Sequence, residues 1–224
     1  MGYLGMLGDI EVKFIEKKLY KGVFLMVEKN YRSSTGVDEF FYGEIGEGIV
    51  AASVERVKFL QNITVEMPQE VVRAYGDNKT AELGISSGEV SVTSAFHKIP
   101  LEDKVTLLGL ETVEGLTAMG SNDTPPYVAV VFARTYEDGS KEYVGLPKGL
   151  FTRPNIEGQT KGDGLEFSAE EITAQFMDRE VTGFTEEKSV IVAYDAAGTT
   201  TNRDALFMKI FGKPYPTTEV PEGA

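Results

Sequence analysis

The side chains able to move protons, hold metals or attack a carbon are few in this sequence, and their spacing suits none of those tasks. His97 is the single histidine. A cluster of imidazole ligands is therefore excluded, and any base-assisted nucleophile would have to be built around that one ring, which lies at a strand end shortly before Pro100. Glu170-Glu171, and Asp77 with the acids near it, are the candidate carboxylate pairs. Neighbouring residues of a strand point to opposite faces, so these acids read as solvated surface rather than as an acid/base couple. Gly162-Asp163-Gly164 makes an acidic turn but lacks the further ligand spacing of a calcium loop. Gly43, Gly46 and Gly48 form GxxGxG without the helix that a phosphate loop requires. Cysteine is absent, which removes disulfides, thiolate metal sites and thiol nucleophiles together. A basic stripe with interleaved aromatics, as nucleic-acid readers carry, is missing as well. The expectation is a protein that is not an enzyme, with no catalytic, cofactor-binding or metal-binding residues and no cofactor.

Whatever such a chain does must then lie in the surfaces its elements present. Its 224 residues, 42% of them hydrophobic, suffice for one domain with elaborations or two small ones. No apolar run approaches the ~18–20 residues that span a bilayer, so a water-soluble domain is expected. The opening MGYLGMLGDIEVKFIEKK has Asp9 and Glu11 where a secretory signal needs an unbroken apolar stretch, so export by that route is not expected. The net charge of −13 argues against neutralising a phosphate backbone. It suits a well-solvated surface, or one past which a polyanion slides without sticking.

Alternation and punctuation predict a β-rich chain. Two strands are expected within residues 10–28, on Ile10, Val12, Phe14 and on Val23 to Val27. Residues 30–51, rich in Gly and Ser around Phe40, Phe41 and Tyr42, are expected to form a long arm or loop, either a contact surface or a partly disordered insertion. A meander follows: a strand over 54–67 closed by Pro68, a strand over 71–75 ending in the turn Gly76-Asp77-Asn78, and a segment over 83–96 interrupted by Gly88. Pro100, the acids Glu102 and Asp103, and Gly109 delimit a short helix with Leu101, Val105 and Leu108 as its apolar stripe. Residues 112–119 read as a strand or part of a loop, and Pro125-Pro126 mark a clear break.

Residues 127–179 dominate the pattern. Two alternating runs hinge on Glu137-Asp138-Gly139-Ser140, and in the first run Val128, Val130 and Phe132 oppose Ala129, Val131 and Ala133. Both faces are apolar, which predicts a strand covered on both sides by a partner sheet, a helix or a neighbouring subunit. A Gly-rich connector over 157–164 leads to a return strand that bends near Ala169. A last strand over 189–194 precedes a helix over 202–211, capped within Thr199-Thr200-Thr201 and stopped by Gly212. The expected domain is 1–212, including the arm at about 30–51, followed by a flexible tail over 213–224.

The order of several strings resembles the major tail tube proteins of long-tailed, siphovirus-type bacteriophages. These are the strand leading to YGDN at 75–78, IPLEDKVTLLG at 99–109, PPYVAVVF at 125–132, the 143–153 strand with Lys148-Gly149, and TKGDGLEF at 160–167 leading to ITAQF at 172–176. The resemblance spans roughly residues 57–179, and the chain departs from the family pattern in its N-terminal half and its longer C-terminal region. It implies a mainly β fold, sandwich or barrel-like, with one short flanking helix, to which the residue pattern adds the C-terminal helix over 202–211. It also implies a structural virion protein that self-assembles into stacked hexameric rings whose lumen passes DNA without specific binding. Implied partners are other copies and the tape measure, terminator and distal tail proteins, with no membrane partner, in a tail assembled in the host bacterial cytoplasm. Residues 30–51 and 157–164 are the expected inter-subunit contacts. The alternatives are another tail component of the same fold, such as a terminator or distal tail protein, and a monomeric β-sandwich binding carbohydrate on Tyr127, Tyr136 and Tyr143. A hydrolase using Glu170 or Asp163 is a third, weaker option.

Overall fold

The computed structural model describes residues 31–46, 53–156 and 169–216. The strands expected within 10–28, the connector 157–164 with Gly162, Asp163 and Gly164, and the tail from 217 onward lie outside the described residues. The chain divides into units Met1–Tyr31 and Arg32–Ala224, and the second holds all the strands and helices described.

The chain is mainly β with two helices. In order it forms β1 (Ser34–Glu44), β2 (Glu55–Val57), β3 (Leu60–Glu66), β4 (Gln69–Gly76), β5 (Lys79–Ser87), β6 (Val90–Phe96) and α1 (Leu101–Leu108). There follow β7 (Glu111–Val113), β8 (Leu116–Ala118), β9 (Val128–Tyr136), β10 (Lys141–Phe151), β11 (Glu170–Phe176), β12 (Ile191–Asp195) and α2 (Thr201–Phe211). An 8-stranded sheet runs β2-β1-β9-β10-β11-β6-β3, with β12 added to β10, and β4-β5 and β7-β8 are separate two-stranded hairpins.

The β9–β10 hairpin is the spine that the two-sided apolar pattern predicts. Asp138 closes its turn by accepting from the Ser140 amide and hydroxyl, and Gly139 takes φ 78, which glycine adopts without steric cost. On one face Val128, Val130 and Phe132 join a core with Phe40, Tyr42, Leu146, Phe96, Ile172 and Phe176. On the other, Ala129, Val131 and Ala133 join Phe41, Tyr143 and the α2 residues Leu206, Phe207, Ile210 and Phe211. The sheet thus curls over its first core, so that Phe40 on β1 meets Phe96 on β6 edge-on at 5.0 Å, while α2 closes the outer face. The curl turns at Pro147. Residues Lys141 to Gly145 of β10 pair with β12, those from Gly149 to Phe151 pair with β11, and the register against β9 shifts between Leu146 and Gly149. A proline has no ladder donor and belongs at such a bulge.

Three expectations are corrected. The arm over 30–51 is, where described, the strand β1, paired to β9 over its length and to β2. Phe40 and Tyr42 feed one core and Phe41 the other, so the aromatics that suggested an exposed arm are buried. Glycines and serines disguised the alternation, and Glu39, an extra residue at φ 57 where the register against β9 shifts, broke its period. The strand expected over 54–67 splits at Lys58-Phe59, with Phe59 at φ 64, and its two parts occupy opposite edges of the sheet. In α1, Leu101 is exposed and Leu107 and Leu108 are the buried pair. The helix does stop at Gly109, whose left-handed φ of 61 lets its N–H return to the Val105 carbonyl. Past Gly212 the chain remains packed as far as Tyr215, whose ring lies 4.9 Å from Phe207 with the Arg203 guanidinium 3.6 Å above it.

Candidate assembly surface

The residues singled out for chemistry do not converge. His97 is exposed at the end of β6, its amide donating to the Phe59 carbonyl and its ring 6.5 Å from Phe59. Glu170 and Glu171 lie on opposite faces of β11, paired against Phe96 and Ala95. Glu170 accepts from the Lys104 ammonium at 2.8 Å and from the Ile99 amide at 3.0 Å, and so ties α1 to the sheet. Burial pushes its carboxyl upward, but these two donors and the charges of Lys104 and Lys98 outweigh that, leaving its pKa below the ordinary value. Asp77 sits in a hairpin turn with φ 49, beside Asn78 at φ 62. Gly43 lies in β1, which also removes the phosphate-loop pattern's helix. Among the described residues, no group of three His, Asp or Glu could hold a metal ion, and no helix is long and apolar enough to cross a membrane.

The three tyrosines offered as a sugar platform are separated. Tyr143 is buried against α2, Tyr136 faces Tyr194 at 6.4 Å, and Tyr127 is covered by the Lys148 ammonium 4.4 Å above its ring. Tyr127 precedes β9 and Tyr136 ends it, so the length of that strand parts them, and Tyr143 is buried, so the three cannot stack on one ligand.

What remains exposed is a surface built for contact. Strands β4 and β5 form a hairpin every residue of which is exposed, its register shifting once between Ala74 and Tyr75, and it pairs with no other described strand. Asp77 and Asn78, both at positive φ, give the tight turn whose twist matches the strands. Val71 opposes Ile85 and Arg73 opposes Leu83, so one face carries Val71, Leu83, Ile85 and Tyr75 around a single arginine. Ile85 and Tyr75 are 72% and 70% exposed. The opposite face carries Glu70, Val72, Ala74 and Glu82. An isolated two-stranded ribbon is marginal in water, and an apolar ribbon face is a surface waiting for cover. At its base the Gly88 amide donates to the Pro68 carbonyl at 2.8 Å, and a Cβ on Gly88 would meet Pro68 Cγ at 2.9 Å, so the two chains leave the sheet together.

Beside that base lies an open groove of about 540 Å³ formed by the ends of β6, β10 and β11 and by Tyr127. The edge strand β3 completes the surface. It pairs only with β6 among the described strands, and LQNITVE contains no proline, lysine or arginine to discourage a further strand.

Two residues that hold this frame were not singled out in the sequence. Asp195 at the end of β12 accepts from the amides of Asn202 and Arg203 and so caps α2, while the threonines expected to do so make no side-chain cap bond. Its distance from the helix start along the chain hid it from local patterns. Gly145 leaves β10 bare where α2 crosses, since a Cβ there would meet Ile210 Cγ1 at 2.8 Å. A lone glycine inside a strand run was the available signal.

A family model described as phage tail tube protein matches residues 47–216. Among solved structures, the chain is similar at 10% identity and a TM-score of 0.40 to a chain of the cryo-EM structure of the anti-feeding prophage (AFP) baseplate, 6-fold symmetrised, over 74% of this chain and 97% of that chain. No curated protein matches it.

Proposed function

The chain belongs to the phage tail tube protein family, and from that premise we propose that it polymerises, as hexameric rings stacked on one another, into the tube through which the genome leaves the virion. It is a structural protein of the virion tail, and it assembles with itself and with other tail proteins. The observation that carries the finer reading is the β4–β5 hairpin, an exposed ribbon with an apolar face that none of the other described elements covers. The β3 edge, paired on one side only among the described strands, supports lateral growth of the sheet from one subunit to the next. A net charge of −13 supports a lumen that repels phosphate and lets DNA slide. Tape measure, terminator and distal tail proteins are the partners such a tube would meet along its bore and at its ends.

Electron microscopy of the purified protein tests this directly. Rings of six subunits or tubes of stacked rings are expected at high concentration. A species that stays monomeric in every condition, with virions whose tubes lack this protein, would remove the reading.

A further inference from the structure

We propose that the groove at the ends of β6, β10 and β11 is the seat of the β4–β5 hairpin of a second copy of this chain. The inference rests on the self-assembly reading above and names the acceptor that reading leaves open.

Four observations carry it. Val90 and Phe176 form a buried apolar floor, Leu150 is half-buried beside them, and Tyr127 and Met177 stand at the rim, 41% and 49% exposed. The groove thus offers apolar surface to an occupant with an apolar face. Ser87 and Gly88 line the same groove, so the chain's own hairpin departs from its rim, and Leu83 and Ile85 on its apolar face stay exposed rather than folded back onto the described lining. Charge is segregated to match. The apolar face of the hairpin carries Arg73, and its acids Glu70 and Glu82 sit on the opposite face. The exposed acids of the groove are Glu89 and Asp178, with Lys148 held over the Tyr127 ring at the margin. Finally, donor and acceptor are different patches of one chain, so each copy that gives a hairpin still has its own groove open. That is a heterologous contact, which repeats into rings or open-ended stacks.

The absence of cysteine makes the test clean. Leu83→Cys and Met177→Cys place thiols on the hairpin face and at the groove, both at exposed positions that the core does not need. A disulfide requires the two Cα atoms to come within about 7 Å. Mixed under mild oxidation in assembled tubes, the two single variants are expected to form a linked dimer, and the double variant a ladder of linked multimers. Leu83→Cys with Val192→Cys, exposed on β12, serves as the control and is expected to stay unlinked. The thiol of Met177→Cys should react with maleimide in dilute monomer and be protected in tubes.

Normal tubes without the 83–177 link, or with no more of it than the control pair, would overturn the seat and leave the tube reading standing. A thiol at 177 already protected in the monomer would show that the chain's own residues occupy the groove, and would overturn it too. Failure of the unsubstituted protein to associate at all would remove both, and microscopy of that protein separates this case from the others.

Discussion

Gly145 shows how one missing side chain sets the position of a helix. With Ile210 Cγ1 and Leu206 Cδ1 only 2.8 and 3.1 Å from where its Cβ would be, α2 can lie on β10 solely because nothing projects there. Overpacking a core position typically costs about 1–3 kcal/mol. Gly145→Val should therefore lower the unfolding free energy by that order, seen as a lower denaturant midpoint with an unchanged slope, and an unaltered midpoint would show that α2 shifts freely. Glu170 supplies a pH dependence whose sign follows from its environment. Its folded pKa is depressed, so its contribution is present above the ordinary glutamate pKa of about 4.3 and is lost as pH falls through the lower folded value. Glu170→Gln should be less stable than the parent protein at neutral pH, and the gap should close in the acid range below about pH 4. Thermal melts at both pH values read this. A gap that persists at low pH would assign the loss to packing.

At the scale of elements, the β4–β5 hairpin and the β9–β10 hairpin make opposite use of the same geometry. The second is clamped between two cores and the first touches neither. Replacing Gln69–Ser87 with a two-residue Asn-Gly turn between Pro68 and Gly88 should leave the melting temperature of the monomer within a few degrees, because no core residue is removed. The same replacement should abolish tubes in electron micrographs. Tubes formed without the hairpin would move the assembly surface elsewhere, with the β3 edge as the next candidate. The strand β1 carries a related lesson. Its residues pair with β9 on one side and β2 on the other, yet its glycines and bulged Glu39 make it look irregular when taken alone.

For the whole molecule, the charge of −13 opposes association between copies. Screening shortens the reach of that repulsion to about 8 Å at 0.15 M salt. The critical concentration for tube formation, followed by light scattering or sedimentation, should fall as salt rises from about 20 to 150 mM. A rise instead would mean that ion pairs across the contact, such as Arg73 with Glu89 or Asp178, outweigh the repulsion between whole subunits.

The sequence by itself determined the mainly β class, the β9–β10 hairpin with its two apolar faces, the turn at Asp77-Asn78, the stop of both helices at glycines, and a likeness to tail tube proteins carried by short strings in order. All of these are local: alternation, turn chemistry and capping act over a few residues, so a few residues reveal them. Only the tertiary structure decided that residues 34–44 are an inner strand, that Asp195 caps a helix begun in another segment, that β10 changes partners at Pro147, and that the β4–β5 hairpin joins no other described strand. Each of those depends on which distant strand lies alongside, and strand pairing depends on contacts that no stretch of sequence contains.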